Sequence, residues 1–279
     1  MNIDVKIETK KIAHEIINGS IEQAVEDYEH FIGNYHFLTS SNLDKTTLNH
    51  LGTNLAKYVR KNPPNFMLFS KQVWYNAHVD GRHPVGIILA ALENIIPDEV
   101  IEEAIEMCRD ANGVEDVDSI VTGFEPVILR DPDTYFPVLQ RYLDDDCVWV
   151  KRVIIITLGH IMFRYKNDGI VTKCLDMLRP EIEKNDEEIN NVVSWILASY
   201  GVRADQKAVL MFIQSYEESD NHEIVKLFCD ALKKSKISLQ KDICQEMVLV
   251  FEHWCDANDK KMSRHAKGAL KILNKQLVQ

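Results

Sequence analysis

Three side chains with complementary chemistry stand at regular intervals in the chain: a carboxylate at Asp118, a guanidinium at Arg152 and an indole at Trp195. A fixed carboxylate stabilises positive charge that develops in a transition state. A guanidinium offers a planar donor fork that fits a phosphate. An indole presents its face to a cation. Asp118 and Arg152 are 34 residues apart, and Arg152 and Trp195 are 43 apart. Gaps of that length match one structural repeat each in a stack of two-helix units, where equivalent positions lie side by side on one face. The spacing therefore predicts that the three side chains share a concave surface. Each also has a plainer reading. Asp118 could face solvent or cap a neighbour, Arg152 could pair with Asp144, Asp145 and Asp146 at a helix start, and Trp195 could be core.

Other chemistries are excluded by what is missing. The sequence has no phosphate-binding P-loop, no G-x-S-x-G and no H-E-x-x-H. His78, Asp80 and His83 are close together but match no zinc spacing, so they read as structural. Glu187-Glu188 and Glu217-Glu218 read as solvated faces, and Trp149 as core. Six cysteines are scattered with no C-x-x-C. That pattern argues for free thiols in a reducing compartment and against a disulfide framework or a zinc site. No metal and no cofactor are expected.

The elements that must position these residues are helices. Apolar residues recur at helical spacing through Ile12, Ile16 and Ile17, then through Ile21, Ala24, Val25 and Tyr28. Asn18-Gly19-Ser20 separates the two runs with turn chemistry. A third helix is predicted from near Asp44 to the Asn62-Pro63-Pro64 stop, carrying Leu48, Leu51, Leu55 and Val59. Further helices are predicted over 66–76, 84–96, 97–108, 133–143, 150–165, 170–178, 187–200, 206–216, 222–233, 240–253 and 263–277. Val117, Ile120, Val121 and Phe124 mark another helix face. No strand run appears. Short loops and units of about 35 to 45 residues define the HEAT/armadillo class of helical solenoid. The expected fold is all-α: a single curved solenoid of HEAT-like antiparallel helix pairs, one domain over residues 1–279.

Composition narrows the function. At 46% hydrophobic residues the chain buries a real core. No run of 18 apolar residues appears, and the stretch from Met1 to Lys11 has no signal-peptide hydrophobic core, which points to a cytoplasmic protein. The formal net charge of −11 argues against nucleic-acid binding, since that binding neutralises phosphates. The charge is uneven, however. From Lys226 to the end, eleven Lys/Arg face six Asp/Glu, so a basic segment closes an acidic chain.

Several segments, in order, resemble the AlkD-type DNA alkylation repair proteins, which are HEAT-like DNA glycosylases. They are Trp74-Tyr-Asn-Ala-His-Val-Asp-Gly-Arg82 running on to Ile87–Leu92, then Val117-Asp118-Ser119-Ile120, then Trp149-Val150-Lys151-Arg152-Val153 after the acidic turn 144–146. Trp195–Tyr200 and Ser263-Arg264-His265-Ala266 complete the set, which spans roughly residues 40 to 275. The resemblance implies that Asp118 is the catalytic carboxylate. It also implies that Arg152 and Trp195 contact DNA, with Lys151 and Arg264 as further cationic contacts. The family's first aromatic, four residues before the carboxylate, falls here at Val114.

The implied reaction removes N3- or N7-alkylated purines from duplex DNA. Such a base is cationic before any bond breaks and leaves neutral, so no strong general acid is required. The enzyme has to stabilise an oxocarbenium-like sugar and position water, which suits one carboxylate. One lost cation–π contact at Val114 is worth about 0.5 to 2 kcal/mol, roughly a few-fold to thirtyfold in rate. The expected partner is duplex DNA with alkylated or distorted bases, bound by a monomer. Two alternatives stand beside this reading: a non-catalytic protein that binds distorted DNA, and a HEAT scaffold that binds protein.

Overall fold

The computed structural model describes residues 5–39, 45–76 and 79–278, apart from the side chains at 34–39, 79, 80 and 168. The predicted helix start at Asp44 and the residue His78 lie outside the described residues. The described backbone is helical, with no strand. In order the helices are α1 (Val5–Asn18), α2 (Ile21–Thr39), α3 (Lys45–Ala56), α4 (Pro63–Asn76), α5 (Val79–Leu92), α6 (Pro97–Arg109), α7 (Val114–Arg130) and α8 (Pro132–Leu143). Then come α9 (Val148–Tyr165), α10 (Asp168–Glu183), α11 (Glu187–Ile196), α12 (Val202–Ala204), α13 (Gln206–Gln214), α14 (His222–Lys234), α15 (Lys241–Cys255) and α16 (Lys260–Val278).

The chain forms two compact units, residues 1–135 and 136–279, whose boundary falls within α8. In the first unit α1, α3, α5 and α7 pack one on the next, while α2, α4 and α6 form a second row. The second unit repeats the plan, with α9, α11, α14 and α16 in one row and α10, α13 and α15 in the other. Each unit is thus a stack of antiparallel helix pairs, the architecture of an α-solenoid. Its core lies between the two rows and is filled by side chains such as Trp74, Phe69 and Phe124 in the first unit and Phe228, Phe251 and Trp254 in the second.

Local sequence explains the helix ends that matter. Asp186, Asp205 and Asn221 cap α11, α13 and α14 by accepting backbone N–H bonds from Ile189, Ala208 and Glu223. Asp259 does the same at α16, accepting from Lys261 and Met262, and those bonds hold its carboxyl below the usual value. Two predicted boundaries are corrected. The helix expected over 84–96 runs from Val79 to Leu92, with Pro84 inside it. Pro84 is the sixth residue of that helix, past the four unpartnered N-terminal donors, so the helix continues through it at the loss of one i→i−4 hydrogen bond. The helix expected over 187–200 passes into a π-turn at Leu197–Gly201.

Glycines set the closest helix approaches. A methyl group on Gly86 of α5 would sit 1.9 Å from the Ser119 carbonyl oxygen on α7. Gly159 of α9 is less crowded: a methyl there would meet Ile196 Cβ and Tyr200 Cδ2 at 3.0 Å. The α5–α7 contact holds the segment that carries Asp118.

Candidate functional site

In the first unit, α7 begins after Gly113 and presents two carboxylates with opposite fates. Asp116 is buried, while Asp118 lies on the exposed surface of the helix. A step of two residues turns a helix by about 200°, so positions 116 and 118 point to nearly opposite sides of α7. Val114 is 38% exposed and sits one turn before Asp118 on the same side of α7.

Asp116 anchors this helix. Its Oδ2 accepts from Arg82 Nη1 at 2.8 Å and from the Asn112 backbone N–H at 3.0 Å. Arg82 Nη2 donates to Asp110 Oδ2 at 2.8 Å, and its guanidinium carbon lies 4.8 Å from the centre of the Trp74 ring. The Trp74…Arg82 segment thus ties α4 and α5 to α7. His83 extends the tie: its Nε2–H donates to Asn49 Oδ1 on α3 at 2.9 Å, and Ser119 Oγ lies 3.4 Å from its Nδ1. Burial, with Lys45 nearby, holds the His83 imidazole below its ordinary value, so the ring is neutral at pH 7.

In the second unit, Arg152 leaves α9 and donates to Glu188 Oε1 on α11 at 2.7 Å. The Arg152 side chain is 15% exposed and Glu188 42% exposed. The partner of Arg152 is therefore a glutamate one repeat away. Lys151 is committed elsewhere, donating at 2.9 Å to Glu181, a carboxylate 2% exposed that also pairs with Lys184. Trp195 is 38% exposed rather than core. It stands seven residues after Glu188, on the same face of α11.

The sequence reading missed what surrounds Trp195. Tyr200 meets it edge-on at 5.3 Å, His160 meets Tyr200 edge-on at 4.6 Å, and Phe163 lies 5.9 Å from Tyr200. His160 Nε2 is 2.9 Å from the Tyr200 hydroxyl. In an α-helix Trp195 and Tyr200 would point about 140° apart. Tyr200 lies within the π-turn at 197–201, which begins two residues after Trp195, and such turns recur at functional sites. The one sequence clue was on α9, where Arg152, His160 and Phe163 fall on one side at spacings of eight and eleven.

Arg264 is exposed on α16. With Lys260, Lys267 and Lys271, at spacings of three and four, it lines a shallow cavity of about 480 Å³. All four cations project from one side of that helix, a stripe of the kind that tracks phosphates. No group of three or more metal-ligating side chains is found among the described residues. All six cysteines are free, and burial pushes the Cys174 and Cys229 thiols up to about 12.

A family model described as DNA alkylation repair enzyme matches residues 45–259, and the chain belongs to that family. No curated protein matches it. Among solved structures, one engineered protein is 14% identical over 99% of this chain and 98% of its own, with a TM-score of 0.34. A second engineered protein is 14% identical over 100% of this chain and 71% of its own, with a TM-score of 0.41. A designed armadillo repeat protein is 14% identical over 84% of this chain and 96% of its own, with a TM-score of 0.33.

Proposed function

We propose that this member of the DNA alkylation repair family is a DNA glycosylase that releases cationic N3- or N7-alkylated purines from duplex DNA. The observation that carries the reading is the division of labour on α7. Asp116 is buried against Arg82 and anchors the helix, and Asp118 lies on the exposed surface of that anchored helix one turn after the half-exposed Val114. An alkylated purine departs without its positive charge, so charge accumulates on the sugar. A carboxylate fixed near that sugar stabilises it and orders the attacking water.

In this reading Arg152 binds a phosphate, exchanging Glu188 for it, and Trp195 presents its half-exposed indole to the DNA. Arg264 and its neighbours on α16 hold the duplex further along. Lys151 contributes least, because Glu181 already engages it. The protein acts as a cytoplasmic monomer. No helix among the described residues is long and apolar enough to cross a membrane.

The test is base release from methylated duplex DNA by the purified protein. Released 3-methyladenine or 7-methylguanine above the spontaneous rate supports the reading. Tight binding of distorted duplex with no release would leave a DNA-binding protein without catalysis.

A further inference from the structure

We propose that the groove between α1 and residues 58–61 binds a small amphiphilic anion: a carboxylate or similar head on an aliphatic tail. The groove belongs to the first unit, where α3 and α5 stand between α1 and α7 in their row. It is thus separate from Asp118 and independent of the glycosylase reading.

The first unit is acidic, yet its cations gather at one end. Six of its eleven Lys/Arg are Lys6, Lys10, Lys11, Lys57, Arg60 and Lys61. There α1 and the 3-10 turn Val59–Lys61 after α3 enclose a cavity of about 640 Å³. Lys10 lines it from α1 and Lys61 from the turn, so both walls carry a cation. Ile7 and Ile17 give it apolar wall. Ile7, Lys10, His14 and Ile17 follow one another at spacings of three and four, so they share one side of α1. The opposite side, through Thr9, Ile12, Ala13 and Ile16, is buried, whereas Ile7 is 65% exposed.

Some lining groups are already engaged. Lys11 pairs with Asp27 and so ties α1 to α2. His14 hydrogen-bonds Asn18. Lys61 Nζ stands 5.3 Å from the centre of the Tyr58 ring, so the apolar contact falls to Ile7 and Ile17 rather than to that ring. Glu15 is the lining carboxylate, and burial with contact to Asp27 holds it above the usual carboxylate value. Charge and size then choose the occupant. Lysine-rich walls attract an anion and repel a cation. The apolar wall rewards a tail, which a DNA phosphate lacks. A pocket for one small molecule measures about 300 to 1,000 Å³. A stable protein partner needs roughly 20 to 30 residues a side, far more than α1 and residues 58–61 present here.

The experiment is calorimetric titration of the full chain with three probes below their micellar concentrations. Decanoate carries head and tail, acetate the head alone, and decyltrimethylammonium the same tail with the opposite charge. Decanoate should bind at least about tenfold more tightly than either of the others. The double variant Lys10→Glu/Lys61→Glu should weaken decanoate binding by about fivefold to tenfold, the worth of two exposed ion pairs. Ile7→Ser should weaken it by about fivefold. All three positions are exposed, so the variants fold, and circular dichroism verifies it. Equal binding of decanoate and the ammonium probe, or a double variant that binds decanoate like the wild type, overturns the proposal. So does sedimentation with phosphatidylglycerol vesicles without binding of free decanoate, which would make the groove a membrane contact.

Discussion

Arg82, in the first unit, lies between two carboxylates, Asp116 and Asp110, whereas Glu181, in the second, lies between two lysines, Lys151 and Lys184. The first fastens α5 to α7 and to the end of α6, and the second fastens α10 to α9, with Lys184 closing on Glu181 from the end of the same helix; the excess charge is opposite in the two. The whole sequence follows the same division. Residues 1–135 hold 11 Lys/Arg and 22 Asp/Glu, and residues 136–279 hold 21 of each. The net charge of −11 therefore belongs entirely to the first unit. A total charge that argued against phosphate binding says nothing against the second unit, whose cations on α9 and α16 face neutral surroundings on average. The first unit offers a carboxylate, and the second offers cations and aromatic rings.

The strongest way to break this comparison is to remove a buried charge. Asp116→Ala leaves Arg82 without its most buried partner and should cost about 3 to 5 kcal/mol of stability. The double variant Arg82→Met/Asp116→Leu should recover most of that loss in denaturant titrations. If the double variant is no better than the single one, the ion pair is not what fastens α5 to α7.

Next in size are the two close helix contacts. Gly86→Ala forces a methyl group into the Ser119 carbonyl and should cost about 3 kcal/mol, the upper range of overpacking. Gly159→Ala, with side-chain neighbours at 3.0 Å, should be close to neutral, because an overpacking cost of about 1 kcal/mol is offset by the gain of about 0.5 to 1 kcal/mol from alanine inside a helix. Thermal melts of the two variants order the contacts, and equal losses would contradict the geometry.

A smaller effect concerns grip. Arg152→Ala should weaken binding of duplex DNA and reduce the salt dependence of binding by about one phosphate contact. Glu188→Gln should act in the opposite direction, because it frees Arg152 from a competing carboxylate. Fluorescence anisotropy over a series of salt concentrations separates the two.

The smallest effect is with pH. His83 and His265 both have imidazoles held below the ordinary value, chiefly by burial. Below about pH 6.5 the unfolded chain takes up protons that the native rings refuse. Stability is therefore full above the ordinary histidine pKa and declines as pH falls toward the depressed native one. His83→Gln should flatten part of that decline in the first unit.

The helical pattern was legible because apolar residues recur at helical spacing on helices with one buried face, as with Val117, Ile120, Val121 and Phe124. Asp118, Arg152 and Trp195 were legible as candidates from residue type, one-repeat spacing and family resemblance. Their partners were not. Glu188 looked like part of a solvated acidic pair, because nothing local distinguishes a glutamate that faces Arg152 from one that faces water. Asp116 stands two residues before Asp118, just outside the Val117–Ile120 motif, and only the fold separates the buried carboxylate from the exposed one. Tyr200 was hidden for a different reason: helical periodicity assumes 3.6 residues per turn, and the π-turn at 197–201 breaks that period.

The central claim is that the first unit supplies the chemistry through Asp118 and the second supplies the grip. Asp118→Asn tests it most directly, with single-turnover release of 7-methylguanine measured beside duplex affinity. The account predicts a rate reduced by about a hundredfold or more at nearly unchanged affinity, since the carboxylate acts on charge that appears only in the transition state. A variant that releases base at the wild-type rate, or that loses affinity in proportion to rate, would contradict it.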